Sequence, residues 1–420
     1  MPSFLNRSIT LLLRRRTVYV IYFLAINIMN IQSVIINRMN VWRLFRFSFF
    51  HLIHHKDIYD YGSFANETFD QFQYSPSFPV MFAPFSLLPY YVAYFLWNNL
   101  SMLLAAYIIY KIPRISESKK SIICYIALLE LLTCLQGTQT NVMIAVLMIL
   151  VFISFEKGSY WIAAFACAAG FYIKIYPIFA ASLFLLYPHK VKFAGKLIAA
   201  LLVLGTLPLL FISPHELIFL YHSWFAELMV DTSDNYGKIS VVGLLQGWFD
   251  LPETGKLIIQ LSGVFLVGLM YIRRKLFPEY FYRLYFLCVL LIWVVLFNHA
   301  AEIYGYSIAI FGVGLWFVHQ KQSRWLNALM IFFIVIATVL SIDPTPRPIQ
   351  MYIYQHSLKA LPYCLMMLFM IWQMLSGNKD FFAAAREPAG LKPHCVNNEG
   401  SFLTGRREFE ENKEKGGKPA

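Results

Sequence analysis

The residues of this chain that could do chemistry are few, and most are polar side chains set among apolar ones. Lys174 lies inside the apolar run from Tyr160 to Tyr187. A lysine there is costly unless it faces a cavity or an anion such as a lipid phosphate; the alternative is a side chain snorkelling along a short helix to the interface. Three carboxylates, Asp57, Asp60 and Asp70, fall in one polar stretch between two apolar segments. A carboxylate at a membrane-facing cleft can take the proton of an attacking hydroxyl, and it can equally cap a turn; the context Lys56-Asp57-Ile58-Tyr59 favours Asp57 slightly. His299 and Glu302 turn between two apolar segments, where they could bind a sugar or a diphosphate or cap helix ends. Gln136, Gln139 and Asn141 offer amide hydrogen bonds to hydroxyls and are also ordinary turn residues.

The elements that must position these side chains follow from composition. Of 420 residues, 59% are hydrophobic and 14% charged, and the mean hydropathy is +0.57, outside the range of soluble globular domains. The apolar runs are continuous, without the alternation of a barrel. The expected fold is therefore all-α, a polytopic membrane bundle of about eleven to twelve transmembrane helices. The net charge of +12 is spread over short basic clusters between apolar segments, as membrane orientation places it, so no nucleic-acid partner is expected. Cys124, Cys134, Cys167, Cys288 and Cys364 sit in apolar segments and Cys395 in the tail, without metal-ligand spacing. They read as packing residues, with no disulfide framework.

Residues 1–16 end in Arg14-Arg15-Arg16 and read as a cytoplasmic N-terminus ahead of a signal anchor over Thr17 to Ile36, since no small-x-small cleavage site follows. The loop 37–89 then lies outside the cytoplasm; its Asn66-Glu67-Thr68 sequon is informative only in a eukaryotic source. A second span from about Tyr90 to Tyr110 returns to Lys111, Arg114, Lys119 and Lys120, and Gln136 to Asn141 joins the next two spans on the outside. The run from Tyr160 to Tyr187 is broken by Lys174 and Pro177 and flanked by basic residues. Two arms of roughly fourteen residues reach about 20 Å, short of a core about 30 Å thick. A short or re-entrant helical pair is expected, carrying Lys174 deep toward the outer half. Asn298 to Glu302 and Asp343 to Arg347 also turn outside, and this one-sided clustering of polar features is the strongest argument for a site. The transmembrane domain is expected over 17–376 and a disordered cytoplasmic tail over 377–420. There is no internal repeat, Walker or dinucleotide glycine motif, or His/Cys metal pattern, so neither a metal nor a cofactor is expected.

A series of short motifs then adds up in order: Asp57-Ile58-Tyr59, Tyr74-Ser75-Pro76, Pro84-Phe85-Ser86-Leu87-Leu88-Pro89, Trp97-Asn98, Gln139-Thr140-Asn141, Lys174-Ile175-Tyr176-Pro177, Ser240-Val241-Val242-Gly243, Asn298-His299-Ala300-Ala301-Glu302 and Leu358-Lys359-Ala360-Leu361-Pro362. Over about residues 15 to 375 the chain resembles glycosyltransferase family 87, the polyprenol-phosphate-mannose-dependent mannosyltransferase-like integral membrane proteins. The resemblance implies the GT-C architecture. It also implies transfer of a hexose, mannose or similar, from a polyprenyl-phosphate sugar to a lipid or glycan acceptor on the outer face, with inversion and with no nucleotide sugar. The implied location is the plasma (inner) membrane, with multiple passes and both termini cytoplasmic. Lys174 would contact the donor phosphate, with Tyr176, Gln139, Asn141, Asn298 and His299 as further substrate-binding residues.

One departure matters. The family's usual base is an aspartate at the start of the first loop, in a pattern Asp-x-x-Val-Tyr; here that neighbourhood reads Asn40-Val41-Trp42-Arg43-Leu44-Phe45. An amide cannot take up the acceptor's proton, so Asp57, Asp60 or Glu302 would have to serve as the catalytic carboxylate, or the activity is lost. The rival readings are a flippase for a lipid-linked substrate, for which repeats would be the usual sign, and a non-catalytic relative.

Overall fold

The computed structural model describes residues 8–64, 66–68, 70–230, 239–249, 251–298, 301–342 and 345–376. His299 and the tail 377–420 lie outside the described residues. The fold is an all-α, polytopic helical bundle.

The first long helix, α1 (Arg15–Ile35), shows how the bundle is built. Val18, Tyr22, Ile26, Met29, Asn30 and Ser33 recur at helical spacing and are buried, whereas Val20, Phe23, Leu24, Ile28 and Ile31 are exposed. One stripe packs inward and the other meets lipid. The inward stripe lies on α4 (Tyr90–Lys111) and α5 (Glu117–Gln136). Amides join α1 to α4: Asn98 donates to Asn30 at 2.7 Å, and Asn27 and Asn99 exchange hydrogen bonds at 3.0 and 3.1 Å. Polar pairs of this kind hold helices together where lipid gives no hydrophobic drive.

Between α1 and α4 the first loop folds as α2 (Asn40–Ile53) and α3 (Ser77–Ser86) around an aromatic core. The Phe45 ring meets Tyr74 at 4.9 Å and Phe78 at 5.0 Å, and Phe82 meets Trp97 of α4 at 5.0 Å. Beyond α5 come α6 (Asn141–Glu156), α7 (Tyr160–Ile173), a 3-10 helix over Tyr176–Leu186, and α8 (Lys190–Gly205). Then follow α9 (Pro214–Val230), α10 (Val241–Gln246), α11 (Glu253–Met270) and α12 (Tyr280–Leu296). The last four are α13 (Tyr306–Phe317), α14 (Arg324–Ala337), α15 (Arg347–Gln355) and α16 (Ala360–Ser376).

Every residue of α12 and α13 is buried, which makes this pair the centre of the molecule. Their approach depends on Gly312, where a Cβ would lie 2.5 Å from the Cys288 carbonyl oxygen. Among the described residues α1, α4, α11 and the stretch Arg324–Ser341 are long and apolar enough to cross a membrane alone. The bent pair α15 and α16 could make one more crossing, and several apolar helices are shorter, including α6, α7 and α12. The expected interruption at Lys174 is present: α7 ends at Ile173 and the 3-10 helix begins at Tyr176, three residues later.

Candidate active site

Where α7 gives way to the 3-10 helix, Lys174 is extended, with φ −147° and ψ 138°. Pro177 causes part of this, because it has no N–H to reach the Ile173 carbonyl and its ring would clash there, so the α-helix cannot run on through 174–177. Gly170 supplies the room: a Cβ there would sit 2.9 Å from the Pro177 Cβ, so any side chain would push the folded-back segment away. The break turns Lys174 into a cavity of about 760 Å³ at the end of the bundle that carries the first loop. Among the described residues, neither a hydrogen bond nor an ion pair reaches its ammonium.

The turn between α5 and α6 forms the next wall. Thr138 holds a left-handed φ of 54°, unusual for a β-branched residue, and Gly137 lies so close to the Tyr304 ring that a Cβ would meet it at 2.9 Å. Gln139 lines the cavity from this turn. Tyr176 donates to Asn141 Oδ1 at 3.0 Å. The other side of that amide, Nδ2, is buried without a partner, beside Lys174, Asn298 and Glu302. A buried donor without an acceptor is uncommon, and an oxygen-rich ligand would satisfy it.

The first loop supplies a carboxylate, but neither Asp57 nor Asp60. Asp57 Oδ1 accepts from the Tyr59 amide at 2.9 Å and Asp60 Oδ1 from the Gly62 amide at 3.1 Å. Both serve turns of their own loop, and neither lines the cavity. Asp57 acts at one remove, since Tyr59 donates its hydroxyl to the Tyr74 carbonyl at 2.7 Å and Tyr74 is in the wall. The loop acid that does enter is Asp70. It is carried there by α9: Gln71 donates to Glu227 at 2.6 Å and Trp224 donates to the Gln73 carbonyl at 3.1 Å. Burial first, and then the Glu302 carboxylate, push the Asp70 carboxyl above its ordinary range.

Asn298, at the end of α12, and Glu302, just before the turn Ile303–Gly305, complete the polar wall. The structure therefore brings Lys174, Tyr176, Gln139, Asn298 and Glu302 to one cavity, with Asn141 against its inner end, and adds Asp70. In the stretch where the resembled family carries its acid, Val41 and Leu44 face the cavity with apolar side chains. Apart from Gln71, Gln73 and Gln260, the rest of the lining is apolar or aromatic. Ile175, Phe179, Val264, Phe225 and Met229 line the cavity and are also exposed on the outside of the bundle, so the space opens through a greasy mouth. Such a chamber can hold a molecule with a hydrocarbon tail at the mouth, an anion at Lys174 and a hydroxyl group near the two carboxylates.

No curated protein matches the chain significantly. The family description "Glycosyltransferase family 87" matches residues 72–297, more than half of the chain and most of the cavity lining, from Gln73 to Phe297. With that coverage the chain belongs to glycosyltransferase family 87 and is a membrane glycosyltransferase.

Proposed function

We propose that the protein transfers a hexose, mannose or a similar sugar, from a polyprenyl-phosphate sugar to a hydroxyl of a lipid or glycan acceptor. The observation that carries this reading is Lys174, unpaired among the described residues, set in a helix break and sharing with Asp70 and Glu302 a cavity with an apolar mouth. The prenyl chain would lie along Ile175, Phe179 and Val264, and the donor phosphate on Lys174. Asn141 Nδ2, Gln139, Tyr176 and Asn298 would hold sugar or phosphate oxygens. His299, which lies outside the described residues, stays a candidate for the same cleft.

In the reaction the acceptor oxygen attacks the anomeric carbon from the face opposite the phosphate. The bond from that carbon to the phosphate oxygen breaks, and the configuration inverts. The phosphate leaves with its electron pair and an added negative charge, which the Lys174 ammonium stabilises. The acceptor's proton goes to a carboxylate. With Asp57 and Asp60 bound to their own loop, that task falls to Asp70, with Glu302 beside it; the raised proton affinity of Asp70 suits a base. The basic clusters between the spans support placing the first-loop end on the outer face of the plasma (inner) membrane, with the N-terminus inside.

The test is transfer by the purified protein in lipid nanodiscs, from a panel of radiolabelled polyprenyl-phosphate sugars to a lipid extract of its own source. Product that depends on one donor supports the reading and names the sugar. Binding of a polyprenyl phosphate without product from any donor would overturn it in favour of a flippase or an inactive relative.

A further inference from the structure

Among the described residues two buried ion pairs hold the bundle, and one of them connects to the site. Glu130 of α5 and Lys359, just before α16, are 1% and 0% exposed, with nitrogen and oxygen 2.8 Å apart. Thr338 donates to Glu130 Oε1 at 2.8 Å, so the carboxylate is held from both sides. The Lys359 ammonium also lies over the Tyr306 ring, 5.1 Å from its centre. The Tyr306 hydroxyl donates to the Ile239 carbonyl at 3.0 Å, and the Ile239 amide donates to the Ala301 carbonyl at 2.8 Å. Ala301 immediately precedes Glu302. The path from the ion pair to the cavity wall is therefore unbroken: carboxylate, ammonium, ring, peptide, peptide.

We infer that the Glu130–Lys359 pair is a positioning device: through Tyr306 and Ile239 it sets where the segment bearing Glu302 stands in the cavity. This rests on the proposed transfer for its catalytic consequence, though not for its structural one. Helix cohesion alone does not call for charges here, because apolar residues of similar volume hold helices as well as or better than a buried pair. What an apolar pair cannot do is attract the face of Tyr306 and so fix its hydroxyl. The same pair also refers both walls to one point. Glu130 stands on the helix that ends in the turn bearing Gln139, and Lys359 reaches the opposite segment at Ala301.

The experiment compares wild-type protein in nanodiscs with Glu130→Gln/Lys359→Met, which removes both charges together and so leaves neither buried as an unpaired charge. Three readouts are taken: amide hydrogen exchange over 239–246 and 301–305, affinity for a polyprenyl phosphate carrying no sugar, and kcat for transfer. Exchange is expected to speed up in both segments and phosphate affinity to hold, with kcat falling about ten- to a hundredfold, the cost of misplacing a reacting group. Unchanged exchange would overturn the inference, as would equal losses of kcat and phosphate affinity. If the double variant does not fold, Tyr306→Phe keeps the ring and removes only the hydroxyl; unchanged exchange at Ile239 there overturns the inference equally. A wild-type protein that transfers nothing would sink the proposed function, and the exchange data would still decide this proposal.

Discussion

Lys174 and Lys359 are both lysines in apolar surroundings, and the structure uses them in opposite ways. Lys359 is fully enclosed, paired with Glu130 and stacked on Tyr306. Lys174 is half-buried in a helix break and, among the described residues, has neither a hydrogen bond nor an ion pair. Removing a charge from water is costly in either place. Lys359 offsets that cost inside the protein, whereas Lys174 leaves its charge available to an anion that the protein itself does not contain. The same contrast divides the carboxylates: Glu130 is held, while Asp70 and Glu302 face the cavity. Fixed charges build the frame and free ones are left where a substrate can meet them.

The sharpest way to break this division is to neutralise a member of each class. Asp70→Asn keeps the shape of the wall and removes the proposed base, so kcat should fall about 10²- to 10⁴-fold while the thermal midpoint and donor binding hold. A wild-type rate would return the role to Glu302. Lys359→Met leaves Glu130 buried alone and should destabilise the fold by about 3–5 kcal/mol, read as a lower thermal midpoint in nanodiscs, with donor affinity preserved in the folded fraction. Lys174→Met should do the reverse. It should weaken binding of a polyprenyl phosphate by roughly ten- to a hundredfold, the value of a hydrogen bond to a charged group, and leave the midpoint unchanged or raised. If the two lysine variants gave the same pattern, the distinction between frame and site would fail.

Much of this could be read along the chain, because it is local. The break at 174 follows from a lysine and a proline within four residues of an apolar run too short for two spans, and the structure has it there. The placement of Asp70 is not local. Three loop aspartates look alike in sequence, and the one that enters the cavity is selected by Glu227 and Trp224, each more than 150 positions from its partner. The Glu130 partner is 229 positions away, and nothing near Glu130 marks it as half of a pair. The same holds for Glu156 and Arg283, which join α6 to α12 through two hydrogen bonds at 2.6 and 3.0 Å.

A smaller effect sharpens the comparison within the site. Burial and the Glu302 carboxylate both make Asp70 harder to ionise, so transfer should show an acidic limb above the ordinary carboxylate value of about 3.9. Glu302→Gln removes one of those two causes and should shift the limb to lower pH without abolishing it, as a pH profile of kcat would show. The stability consequence has the opposite sense to that of a salt-bridged acid. The folded state holds the Asp70 proton more tightly than the unfolded chain, so its contribution is greatest below the unfolded value and is lost as pH rises through the raised one. A limb that does not move in Glu302→Gln would mean that burial alone sets it.

The smallest effect concerns Asp57, which belongs with the frame although it sits in the loop that supplies the site. Its carboxylate accepts one amide hydrogen bond, and Tyr59 passes that order on to Tyr74. Asp57→Asn keeps an acceptor oxygen at the same place, so the loss should stay within about 0.5–1.5 kcal/mol and the shape of the pH profile should match wild type. Asp57→Ala removes the acceptor and should lower the thermal midpoint further, again without moving the acidic limb. A base cannot behave this way: its amide would be as inactive as its alanine. Transfer rates for the two variants therefore tell whether the Asp-x-Tyr element reaches the chemistry directly or only by holding Tyr74 in the wall.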